Sequence, residues 1–104
     1  MAWRIDDTVE ILIVVTQAIS GPYIEGLANA CMRNGITFAV FFTGEGVRTL
    51  RSQSVLDCLE NAEEAVVCEH AWGEIMPGET CPATSGSQTD HSRLLGSAAR
   101  VVSF

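Results

Sequence analysis

The run Ile11-Leu-Ile-Val-Val15, closed by Thr16 and Gln17, constrains this chain more than any other feature. Five apolar residues in succession leave no face for solvent, and most of them are β-branched. Such a run suits a parallel strand buried on both sides. A parallel neighbour requires a crossover, and the residues that follow read as one. Ser20-Gly21-Pro22 opens a helix with Pro22 near its first position, and Gly35 stands just past its end. Within it Ile24, Leu27, Ala28 and Cys31 fall at i, i+3, i+4 and i+7, which makes one buried stripe.

The alternation continues. Ile36 to Phe42 reads as a second strand that runs into Thr43-Gly44-Glu45-Gly46. A short helix near Ser54 to Ala62 is expected to bury Val55, Leu59 and Ala62, and Ala65-Val-Val-Cys68 is the third strand. Gly73 to Thr89 reads as one long irregular stretch. Asp90 then caps a helix whose His91, Leu94, Leu95 and Ala98 share a face, and Arg100-Val-Val-Ser-Phe104 closes as a strand. This order predicts a single three-layer α/β/α domain over residues 1–104, with a mainly parallel sheet of about four to five strands. Right-handed crossovers would bring the strands' carboxyl ends to one edge, where three loops meet: Thr16 to Gly21, Thr43 to Val47 and Cys68 to Gly73.

Composition narrows the partners. The chain is 47% hydrophobic and 18% charged, with mean hydropathy +0.22, so either the sheet is covered on both faces or another subunit covers part of the surface. All six basic residues are Arg, and 13 acids leave a net charge of -7 without any basic run. Phosphate backbones would be repelled, so nucleic acid is not an expected partner. The absence of Lys removes a Walker phosphate loop and Schiff-base chemistry. No stretch approaches about 18 consecutive apolar residues, so no membrane span is expected. Arg4, Asp6, Asp7 and Glu10 before the first apolar run do not read as a signal peptide. Four cysteines without a secretion signal then read as reduced thiols of the cytoplasm.

Among candidate groups, Cys68 is the cysteine that the topology delivers to the functional edge. There it is either a reactive thiol favoured by turn amides or the last core residue of a buried strand. His70 would favour its thiolate if cationic, and Glu69 would oppose it. Cys31 and Cys58 read as packing residues. Cys81, in Glu79-Thr80-Cys81-Pro82, is either a resolving thiol for Cys68 or a loop residue tucked under its neighbours. Cys68, His70, Cys81 and His91 are zinc-type ligands, but their spacing lacks the tight pairs of closed sites, so no metal is expected. Gly44-Glu45-Gly46 has two glycines of a dinucleotide loop, but position 49 is Thr; a tight turn with permissive backbone is the simpler reading.

Four segments together resemble the DsrE family: VEILIVVTQ, FAVFFTGEGV, AVVC and ARVVSF. The likeness extends over roughly residues 9 to 104, and the Phe-Phe-x-x-Glu-Gly-Val loop and the closing Arg-Val-Val-x-Phe strand are its most specific parts. It implies a small α/β/α protein that assembles as a homo- or hetero-oligomer. It further implies a sulfur carrier or sulfurtransferase that relays sulfane sulfur as a persulfide on Cys68, between donor and acceptor proteins and without a cofactor. Sulfur-transferring relatives continue from that cysteine into an apolar, then basic helix. This chain reads Glu69-His-Ala-Trp-Gly-Glu instead. Two alternatives accompany the main expectation: a non-catalytic DsrE-like assembly subunit, and a Cys68/Cys81 thiol redox switch.

Overall fold

In the computed structural model, which describes residues 9–104, five strands form one parallel sheet in the order β4-β3-β2-β1-β5. They are β1 (Val9–Val15), β2 (Phe38–Phe42), β3 (Glu64–Cys68), β4 (Thr84–Gly86) and β5 (Ala98–Ser103). The helices are α1 (Gly21–Arg33), α2 (Gln53–Leu59), α3 (Glu69–Ile75) and α4 (Gln88–Ser97), with 3-10 turns at Ala18–Ser20 and Gly44–Arg51. The segment holding Trp3, Arg4, Asp6 and Asp7 lies outside the described residues.

The apolar run does form an interior parallel strand, β1, flanked by β2 and β5. In β1, Leu12, Ile13 and Val15 are fully buried, and in β2 every residue from Phe38 to Phe42 is buried. Ile13 lies between Val40 of β2 and Val102 of β5, and Phe41 faces Val66 of β3. The crossovers through α1 and α2 step across the sheet in one direction, and the one through α4 returns past β1 to β5. Right-handed connections therefore put α1 and α2 on one face and α4 on the other, which is the three-layer arrangement expected. Among the described residues, no helix is long and apolar enough to cross a membrane.

Several boundaries differ from the sequence reading. Strand β2 starts at Phe38, because the Ile36 amide donates to the Cys31 carbonyl (2.8 Å) and closes α1. Gly35, with φ +66°, makes the left-handed turn that this closure needs. Helix α2 buries Val55 and Cys58, while Leu59 and Ala62 are only partly covered. The stretch read as irregular holds α3 and the short β4. Trp72 anchors it, buried and donating from its indole nitrogen to the Glu79 carbonyl at 2.7 Å. Helix α4 is capped by Ser87, not Asp90. The Ser87 hydroxyl accepts from the Thr89 amide (3.1 Å), and Asp90 reaches back to the Ser87 amide (2.9 Å), a capping box. Of its apolar residues Leu94 is buried, but Leu95 faces solvent at 42% exposure.

One glycine sets how closely the connections pack. A Cβ on Gly46 would stand 2.1 Å from the Val15 carbonyl oxygen, inside the backbone of β1. A Cβ on Gly73, within α3, would meet nothing within 4 Å. Gly46→Ala should therefore cost about 3 kcal/mol, the upper range for overpacking a core. Gly73→Ala should be neutral or stabilise by about 0.5–1 kcal/mol through helix propensity. Urea denaturation of the two variants checks both the difference and its sign.

Candidate functional site around Cys68

Cys68 ends β3 and is also the residue from which α3 departs, so no loop separates the strand from the helix. Its backbone is extended (φ -60°, ψ 116°), and the amides of the first helical turn are still free of intrahelical partners there. On the neighbouring strand, Thr43 follows β2 at the same edge, its amide held by the Val15 carbonyl at 2.9 Å. On the other side Gly86 of β4 pairs with Cys68, and only Ser87 separates β4 from α4. The first residue of α4 is therefore delivered to the thiol: the Gln88 amide nitrogen lies 3.7 Å from Cys68 Sγ.

Two opposing influences act on this sulfur. Cys68 is only 5% exposed, and burial, the largest single influence, pushes its thiol up. Against it stand hydrogen bonds from the Ala71 amide, the Thr43 hydroxyl, the Gln88 side chain and the His70 amide. Together they win, and the thiol is held below its ordinary value. Cys31 and Cys58 show what burial does unopposed. Both are raised, first by desolvation and then by carboxylates: Glu10 for Cys31, and Glu25 and Asp57 for Cys58. The three buried thiols thus divide into one whose surroundings favour the thiolate and two whose surroundings favour the neutral thiol.

The remaining candidates separate from this centre. His70 does not lend its imidazole; that ring points to solvent and pairs with Glu74 at 3.4 Å, so only the backbone amide of His70 serves the thiol. Cys81 is partly buried against the core, and all four cysteines are free thiols. Glu45 is turned to solvent in an ion pair with Arg48, while Gly44 (φ +54°) and Gly46 supply the close turn that sets Thr43. Among the described residues no three His, Cys, Asp or Glu side chains converge on a metal position. His91 stacks flat on Phe41, with ring centroids 4.4 Å apart and planes 8° from parallel. A cavity of about 480 Å³ opens at the opposite end of β3, between Leu56, Leu59, Glu60, Glu63 and Pro82, and has no part in the thiol site.

Sequence reasoning named Cys68 but missed Thr43 and Gln88 as its side-chain partners. Ser87-Gln-Thr-Asp90 carried the signal, since a Ser followed three positions on by Asp marks a helix start and would have placed Gln88 in its first turn.

The sign of the thiol shifts can be read directly. As pH rises from acid towards about 8.5, the ordinary thiol value, Cys68 should be alkylated by iodoacetamide first, with Cys31 and Cys58 lagging. Peptide-resolved mass spectrometry over a pH series measures each half-point, and equal half-points for Cys68 and Cys58 would contradict the assignment.

Comparisons of the chain with protein-family models, with curated proteins and with solved structures find no match.

Proposed function

We propose that the chain is a DsrE-like sulfur carrier, acting as a sulfurtransferase through a persulfide on Cys68. The observation that supports it most is a buried sulfur at the carboxyl edge of the sheet with the Gln88 carboxamide nitrogen 3.7 Å away, its thiol held below the ordinary value by neighbouring hydrogen-bond donors. In the proposed cycle the Cys68 thiolate attacks the sulfane sulfur of a donor persulfide, and the donor leaves as a thiolate. An acceptor thiolate then takes the terminal sulfur and returns Cys68 to its starting state. Each step forms one sulfur–sulfur bond and breaks another, so no external oxidant or reductant is consumed.

The donors favour the anion that attacks, and they favour it again when Cys68 leaves in the second step. A partner thiol and a reducing compartment such as the cytoplasm fit this chemistry. The Cys68/Cys81 switch is the second reading, and both cysteines are free thiols in this structure. An assembly role remains compatible with the exposed Ile19, Tyr23 and Val101. Those side chains, with the outer edge of β5 that no other described residue pairs, offer a face for a homo- or hetero-oligomer.

Intact mass spectrometry after incubation with a sulfane-sulfur donor tests the carrier reading. The protein should gain one sulfur atom, lose it to reductant, retain the gain in Cys81→Ser and show none in Cys68→Ser. Equal loading of Cys68→Ser, or a gain mapped to Cys81 alone, would overturn it. The assembly reading is separate. Light scattering at micromolar concentration should report a multiple of the 11.2 kDa chain, and a clean monomer would reject self-association.

A further inference from the structure

The Gln88 carboxamide touches two groups with opposite demands. Its nitrogen faces Cys68 Sγ at 3.7 Å, and its oxygen faces His91 Nδ1 at 3.0 Å. A thiolate only accepts, so beside it the amide must present N–H. The oxygen is then committed to His91, and the contact is a hydrogen bond only if Nδ1 carries a proton. With Cys68 as a neutral thiol the reversed amide becomes self-consistent: S–H donates to the oxygen, and the amide donates to a bare Nδ1. The three side chains therefore form a relay with two coherent arrangements, one for the anion and one for the thiol.

Both ends of this relay are anchored. The capping box fixes the first turn of α4, and Arg93 one turn later holds Glu64 with two hydrogen bonds of 2.7 and 3.0 Å. Glu64 and Cys68 are the first and last residues of β3, so α4 is tied to that strand at both ends. A Cβ on Gly86 would fall 2.7 Å from Asp90 Oδ2 and 2.6 Å from a Val66 methyl, so the β4–α4 junction packs closely against both side chains. The His91 ring is set by its stacking on the fully buried Phe41.

We infer that Gln88 and His91 are positioning residues for Cys68: His91, donating from Nδ1, holds the Gln88 carboxamide with its N–H towards the sulfur and so favours the anionic sulfur over the thiol. The inference rests on Cys68 being the working thiol, but the bias belongs to the unloaded protein and can be measured without sulfur transfer.

The test is the pH profile of iodoacetamide alkylation at Cys68, followed by peptide mass spectrometry in four proteins. Gln88→Glu places an acceptor-only group against the sulfur and should slow alkylation at neutral pH by about tenfold, through a smaller thiolate fraction. Glu is favourable in a first helical turn, so this variant should fold. His91→Phe keeps a ring for Phe41 but removes the donor, and should slow the reaction by about threefold, less than direct loss of the donor because Gln88 can still adopt either orientation. His91→Asn can donate from near the Nδ1 position and should restore the unmodified profile. Circular dichroism confirms the fold of each variant. Profiles within twofold of the unmodified protein for both Gln88→Glu and His91→Phe would overturn the inference, as would an equal defect in His91→Asn and His91→Phe. Persulfide loading is scored separately. Its absence in the unmodified protein rejects the carrier reading while leaving the alkylation result valid, and the reverse outcome rejects only the relay.

Discussion

Burying both faces of β1 and β2 removes their backbone from water, and the parallel ladder is the means by which those amides and carbonyls are satisfied. That requirement shapes everything around them. Parallel strands cannot be joined by tight turns, so each must be followed by a crossover, and every crossover begins at the same edge. Thr43, Cys68 and Gln88 come from three connections and are distant in sequence. They meet because the ladder brings the ends of β2, β3 and β4 into line.

At that edge the sulfur chemistry is set by a contest between desolvation and hydrogen bonding. A buried thiol alone would resist ionisation, as Cys31 and Cys58 do. Cys68 is equally enclosed and shifts the other way, since its donors come from structure that is needed anyway: the opening turn of α3, the end of β2 and the capped start of α4. The capping box serves the helix and the site at once. Without it the first turn of α4 would fray, and Gln88 would lose its hold on the sulfur.

Features with a strong period or a run were legible in the sequence. Strand β1, α1 with its Gly35 stop, and the placing of Cys68 on the carboxyl edge all followed from apolar patterning and turn residues. The misses have a common cause in weak local signal. Strand β4 is three residues long, and Thr84-Ser-Gly86 has no apolar alternation; its existence depends on the ladder of β3. Helix α3 contains a glycine and only seven residues, and is held by Trp72 and its tertiary partner. His70 was read as a neighbour by sequence distance, yet a helix beginning at Glu69 turns its side chain outwards. The Gln88 contact spans 20 positions, so the capping pattern at Ser87 marks the helix start but not the strand end that it meets.

The pairing of β5 with β1 has a consequence for how the chain reaches this structure. Thr16 donates through both its amide and its hydroxyl to the carbonyl of Phe104, a contact across 88 positions. Strand β1 therefore keeps one flank open until residues 98–103 are available, whatever has assembled on its other side. While that interval is being synthesised, β1 through β4 would wait as a four-stranded sheet with a bare, β-branched edge. Folding of this domain is accordingly a late, non-local event, and the open flank of β1 is where a holding chaperone would find the most to grip.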